Sequence, residues 1–185
     1  MKKNNFFERF NHKVFFITGF IFILFINLIA FPLFPKLFSK NFVSTTNILD
    51  LQFGYNIDKV FEILNNLHRQ GREIYFYSTL FVDTPYALFY GFFYAVIFYS
   101  LLKNTGKLKR LKFLIFFPFL ISISDLLENL FTLVFIRKYP NISPNLIHFG
   151  SLFNQMKWIF SLISLLIFLY LIFNLFITKY LQKNQ

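Results

Sequence analysis

The sequence contains no cysteine, and this absence excludes several kinds of chemistry at once. Disulfides, thiol nucleophiles, cysteine-based zinc sites and dithiol redox reactions all need cysteine. The sequence also has no P-loop, no dinucleotide-binding fingerprint and no G-x-S-x-G serine motif. Its histidines do not form the i, i+4 pair of helical zinc sites. No common catalytic motif therefore assigns a reaction to this chain.

Charged residues are also scarce: they make up 15% of the 185 residues, whereas 56% are hydrophobic. The apolar residues come in blocks long enough to cross a bilayer, which takes about 20 residues per helix. This composition predicts an integral membrane protein, with residues 1–185 forming a single membrane domain and the lipid bilayer as its first partner. Phe is unusually frequent, with 32 residues, and so are Ile, Asn, Lys and Tyr. Because several residue types share this enrichment, no ligand is inferred from the phenylalanines.

Four apolar blocks predict an all-α, polytopic bundle of four transmembrane helices, over residues 14–34, 75–102, 111–136 and 149–177. Pro32 and Pro35 are expected to end the first helix, because proline lacks the backbone N–H that continues a helix. For the same reason Pro85 is expected to kink the second span.

A more polar stretch, residues 36–73, lies between the first and second spans and contains an amphipathic pattern. Asn56 is a suitable N-cap, Asp58 suits the first turn, and Gly71 is expected to end the helix. The apolar stripe consists of Ile57, Val60, Phe61, Leu64 and Leu67. We expect a short helix in the first outer loop that lies on the membrane surface or caps the bundle.

The net charge of +11 comes from short basic clusters beside the apolar blocks. Such clusters set topology and contact anionic lipid head groups, so we expect no nucleic-acid partner. The loop around Lys107 and both tails are the more basic side. The protein is therefore predicted to lie in an inner or plasma membrane, multi-pass, with both termini cytoplasmic.

Polar residues interrupt the third span at "SDLLEN", Ser124 to Asn129. Asp125, Glu128 and Asn129 stand at i, i+3 and i+4 and share one helix face. Glu128 and Lys157 both lie about 12 Å below the outer ends of their helices, and Asp125 about 16 Å. Because a charge at the bilayer centre costs at least about 2.5–3.5 kcal/mol, we expect Glu128 to pair with Lys157.

Three intramembrane acids, including Asp83 on the outer third of the second span, face one base. Either Arg72 or Arg137 reaches in from the outer edge, or one acid stays protonated. Asp125 and Glu128 are the candidate acid/base residues. The candidate ligand-binding residues are Asp83, Asp125, Glu128, Asn129, Lys157 and Arg72. Asp83, Asp125, Glu128 and His148 could together hold a metal, but the i, i+4 His pair of helical zinc sites is missing, so no metal is predicted; whether a cofactor binds is unknown.

The motifs FGYN (53–56), GREIY (71–75), DTPY (83–86), DLLEN (125–129), YP (139–140) and KW (157–158) occur in this order. In order and spacing they resemble those of a family of small bacterial four-helix membrane proteins with no assigned activity. The resemblance implies a four-helix bundle and no chemistry. A looser similarity to four-helix sterol-isomerase-like proteins is architectural only.

Two functions follow as alternatives. In the first, the polar residues form an intramembrane pocket that binds or processes a lipid or small molecule, and whether a reaction is catalysed stays open. In the second, the buried charges are interhelical glue in an accessory subunit, and segment 36–73 docks a membrane-protein partner or a second copy. A transporter ranks third, because four helices make a thin pathway.

Overall fold

The computed structural model describes residues 12–33 and 48–183, which are helical and contain no strand. The helices are α1 (residues 12–33), α2 (Ile57–Asn66), α3 (His68–Asn104), α4 (Leu108–Lys138) and α5 (Pro144–Lys183). All except α2 are long and apolar enough to cross a membrane. The all-α class and the four membrane-capable helices are therefore confirmed.

The helices α3, α4 and α5 extend beyond the predicted spans at both ends. Hydropathy detects only the part of a helix that suits hydrocarbon, whereas backbone hydrogen bonding continues into polar turns. The largest difference is at α3, which begins at His68 rather than at residue 75. Pro32 does not end α1, which is helical to Leu33, and Pro35 lies outside the described residues.

The amphipathic helix α2 is present, and it caps the bundle. The Asn56 side chain accepts a hydrogen bond from Lys59 N at 2.9 Å, as an N-cap should. The apolar face of α2 belongs to one buried cluster with Phe135 of α4 and Ile147 of α5. Burying this face against the bundle removes it from water and fixes α2 over the end where α4 and α5 meet.

The predicted helix stop at Gly71 is wrong. Helix α2 ends at Asn66, and Gly71 is a buried residue inside α3. The change of direction occurs at His68, whose φ of 51° lies in the left-handed region and breaks the right-handed helical path. A glycine inside a helix is tolerated when packing compensates for its low helix propensity.

Helix α3 contains a π-helical turn, Thr79–Asp83, directly before Pro85. The Thr84 hydroxyl donates a hydrogen bond to Thr79 O at 2.9 Å within this turn. Since Pro85 has no N–H, a wider turn before it accommodates the missing backbone bond. The kink expected at Pro85 is thus a π turn, and Asp83 is the last residue of that turn.

Helix α4 packs closely against both α3 and α5. At Gly91 of α3, a side-chain β-carbon would lie 2.5 Å from Ser122 Cβ of α4, so only glycine fits. Helix α1 lies against α3 through aromatic pairs such as Phe22 and Phe89, whose ring centroids are 4.4 Å apart. The polar residues of α4 therefore lie inside the bundle.

Replacing Gly91 by alanine should destabilise the protein by about 1–3 kcal/mol, because the added methyl overlaps Ser122. Helix propensity alone would favour alanine by about 1 kcal/mol, so the two effects have opposite signs. Thermal unfolding in mild detergent measures the result. Adding Ser122→Gly should restore much of the lost stability, and a single variant as stable as the native protein would contradict this close contact.

Candidate functional site

The centre of the site is the ammonium group of Lys157 on α5, which contacts three carboxylates. Its Nζ lies 2.6 Å from Glu128 Oε2 and 3.2 Å from Asp125 Oδ1, and it also forms a short ion pair with Asp50 Oδ1. We call these four residues the Lys157 cluster. The predicted Glu128–Lys157 pair is present. The hydrogen bonds of the ammonium go to Asp50, through its carboxylate and its backbone carbonyl oxygen, so the contacts with Asp125 and Glu128 are ion pairs.

Neutral side chains satisfy the remaining carboxylate oxygens. Asn154 Nδ2 donates to Glu128 Oε1 at 2.7 Å, and Tyr90 OH donates to Asp125 Oδ2 at 2.8 Å. Glu128 is fully buried and Asp125 is 5% exposed. Hydrogen bonds to charged groups are stronger than neutral ones, and buried charges need them. The cluster therefore links α3, α4 and α5.

Asp50, the fourth residue of the cluster, lies on a short segment that was expected to be part of the first outer loop. Residues 48–56, the docked segment, fold into the bundle, and their 3₁₀ turn Leu49–Leu51 brings Asp50 to Lys157. Leu49 is completely buried and its N–H donates to Tyr75 OH at 3.2 Å. Asp50 was missed because a segment this short shows no periodicity; its only signal is an acid flanked by two leucines.

Helix α5 holds the docked segment through a row of polar side chains. Asn154 Oδ1 accepts from Gly54 N at 2.6 Å, and Ser151 Oγ accepts from Tyr55 N at 2.8 Å. One turn further, Trp158 Nε1 donates to Gln52 O at 2.9 Å. These bonds satisfy backbone groups that would otherwise be buried without partners.

Two residues of the docked segment depend on this close approach. Gly54 has a φ of +75°, and a side chain there would meet Gln155, so glycine is required on both counts. Tyr55 is buried, and burial together with the nearby Glu128 carboxylate raises the pKa of its phenol far above the ordinary range. The phenol therefore stays neutral.

Asp83 does not join the Lys157 cluster. It is half-buried, and within the ranges that the structure describes its carboxylate forms neither a hydrogen bond nor an ion pair. Asn129 is 3% exposed and shares the α4 face as predicted, but its Nδ2 has no hydrogen-bond partner among the described residues. The structure thus separates Asp83 and Asn129 from the ion-paired residues.

The two outer arginines do not reach the acids. Arg72 Nη1 donates to Leu64 O at 2.8 Å, and its guanidinium lies 4.6 Å from the centre of the Tyr139 ring. Arg137 lies over Phe76 at 4.3 Å. Neither arginine therefore compensates the charge of the buried acids.

A large open cleft reaches the Lys157 cluster from the side. Its volume is about 1270 Å³, and residues of α1, α3, α4, α5 and the docked segment line it. Most of its walls are apolar, including Phe16, Ile23, Phe93 and Phe168. Asp50, Asp83, Asp125 and Lys157 line the same cleft. The cleft thus combines a long apolar surface with a group of charged side chains.

The carboxylates of Asp50, Asp125 and Glu128 bring oxygen atoms within 4.8 Å of one another, which is a spacing that a metal ion can use. Asp83 and His148, which the sequence analysis considered as ligands, are not part of this group. The Lys157 ammonium contacts all three carboxylates and can offset one of their negative charges.

No protein-family model, curated protein or solved structure matches this chain. The similarity to small bacterial four-helix membrane proteins therefore rests on the motifs alone.

Replacing Asn154 by leucine should loosen the docked segment, because the Gly54 amide and Glu128 both lose a hydrogen-bond partner. Hydrogen–deuterium exchange should become at least about tenfold faster in peptides covering residues 49–55 and stay unchanged in α2. Asn174→Leu, on the same helix but far from the segment, is the control. Unchanged exchange in residues 49–55 would contradict the role given to Asn154.

Proposed function

We propose that this protein is a multi-pass membrane protein whose cleft binds or processes a lipid or small molecule. The observation that carries the proposal is the cleft itself, in which apolar walls and charged side chains face the same space. Ligand sites are typically concave, mostly apolar and equipped with a few polar groups that fix orientation. An amphiphile suits this combination, since its tail matches the walls and its head group matches the charged residues.

The residues of the site have different roles in this proposal. Lys157 is the counter-ion that keeps Asp125 and Glu128 in place, while Asp83 lines the cleft and has no partner among residues 12–33 and 48–183. If the ligand is processed, Asp125 is the better-placed acid/base candidate, because it lines the cleft and Glu128 does not. Arg72 is not included, because its guanidinium is engaged by Leu64 O and Tyr139.

The orientation remains part of the proposal. We place both termini in the cytoplasm of a cell with an inner or plasma membrane, from the basic residues near the loop around Lys107. The Lys157 cluster and α2 would then lie towards the outer side.

An accessory subunit is the second candidate function, favoured by one observation. Together with Tyr90 of α3, the Lys157 cluster joins four separate parts of the chain, as purely structural interhelical contacts would. In that case the docked segment and α2 form an outer surface for a membrane-protein partner or a second copy. The protein should then copurify with that partner in stoichiometric amounts.

The test of the cleft is photo-crosslinking with a phospholipid that carries a diazirine in its acyl chain. Labelled peptides should include cleft residues such as Phe16 and Ser164, and labelling there should saturate as the probe concentration rises. Ser164→Phe should reduce the saturable labelling severalfold, because it fills space inside the cleft. Leu166→Phe is the matched control, since Leu166 is 59% exposed on the same helix.

Labelling that rises linearly with probe at all positions, with no effect of Ser164→Phe, would contradict a lipid-binding cleft. Such a result, together with a stoichiometric protein partner, would favour the accessory subunit.

A further inference from the structure

We infer that the ligand of the cleft carries a positive charge at its polar end and that Asp83 binds it. The occupant is then an amphiphile with an amine or quaternary ammonium head group and a hydrocarbon tail. This inference rests on the proposed function and specifies its ligand class.

The charged residues that line the cleft favour a cationic ligand. Three carboxylates and one ammonium line the cleft, and the Glu128 carboxylate lies directly behind that ammonium. Lys157 can offset one of these negative charges. Among the residues that the structure describes, acids therefore outnumber cations in the lining of the cleft. A cation entering it gains energy, and an anion is repelled.

None of the three cations considered for the buried acids, Lys157, Arg72 and Arg137, pairs with Asp83. The Lys157 ammonium is already ion-paired with Asp50, Asp125 and Glu128, and its hydrogen bonds go to Asp50. Arg72 and Arg137 lie over aromatic rings outside the cleft. Since neither arginine compensates the buried acids, an unpartnered Asp83 avoids a buried charge by holding a proton, and a cationic ligand would take the place of that proton as its partner.

The surface of the cleft next to Asp83 is aromatic. Tyr86, Tyr90 and Tyr94 follow it at helical spacing on α3 and line the same cleft. Aromatic faces attract ammonium groups, and quaternary ammonium ligands are commonly held among tyrosines. The apolar walls beyond them suit an alkyl tail. The carboxylate and the aromatic rings thus match the head group of a cationic amphiphile, and the apolar walls match its tail.

Trp158 provides a direct assay, since it is the only tryptophan in the sequence and it lines the cleft. The protein is reconstituted in nanodiscs of pure phosphatidylcholine, so that the bilayer has no net charge. Three bromine-labelled amphiphiles with the same chain, ending in a trimethylammonium group, an alcohol or a carboxylate, are titrated at neutral pH. Bromine quenches tryptophan fluorescence at short range. Tryptophan octyl ester in empty nanodiscs corrects for partitioning into the bilayer.

The ammonium amphiphile should quench Trp158 saturably and bind at least about tenfold more tightly than the alcohol, which corresponds to about 1.4 kcal/mol. The carboxylate should bind more weakly than the alcohol. In Asp83→Asn the preference for ammonium over alcohol should fall to about threefold or less. Glu73→Gln should keep the full preference, because it removes the same charge from an exposed position on the same helix.

Saturable quenching of equal strength by all three amphiphiles would overturn the inference and leave the proposed function intact. A preference for ammonium that survives in Asp83→Asn would also overturn it, since Asp83 would not be the contact. Quenching that no amphiphile saturates would overturn both. If Asp83→Asn does not fold, the head-group series in the native protein and in Asp83→Ser still decides between these outcomes.

Discussion

The rest of the structure depends on one buried ammonium group and the three carboxylates around it. Lys157 is 7% exposed, and an unpaired charge at this depth would cost several kilocalories per mole. Its partners come from the docked segment and from two positions one turn apart on α4. Satisfying this one charge therefore fixes the distance between α4 and α5 and brings a loop segment into the bundle.

The same requirement explains where the polar surface of the cleft lies. Asn154 and Tyr90 complete the hydrogen bonds of the carboxylates, so α3 is held to the cluster as well. Asp83 stands just before Pro85, at the end of a π turn, and is left out of this network. Three carboxylates already surround Lys157, and Asp83 is a further acid that lines the apolar cleft. That remaining group is the basis for the ligand class inferred above.

Part of this arrangement could be predicted from the sequence. Depth along two helices was enough to pair Glu128 with Lys157, because helical rise converts residue number into position. The Asn56 cap and the buried face of α2 followed from local pattern. Asp50 could not be found this way, since its role depends on where the docked segment folds and not on any period in the sequence. Gly71 was wrongly expected to end a helix, because glycine ends some helices and packs inside others.

The most direct test of this account is the unfolding of Lys157→Met and of Lys157→Met with Glu128→Gln in mild detergent. The single variant leaves the buried carboxylates of Asp125 and Glu128, and the half-buried one of Asp50, without their counter-ion and should lose about 3–5 kcal/mol of stability. The double variant should recover part of this loss, because one of those carboxylates becomes a neutral amide. A Lys157→Met protein that unfolds at the native temperature would show that the bundle does not depend on this charge, and would contradict the account.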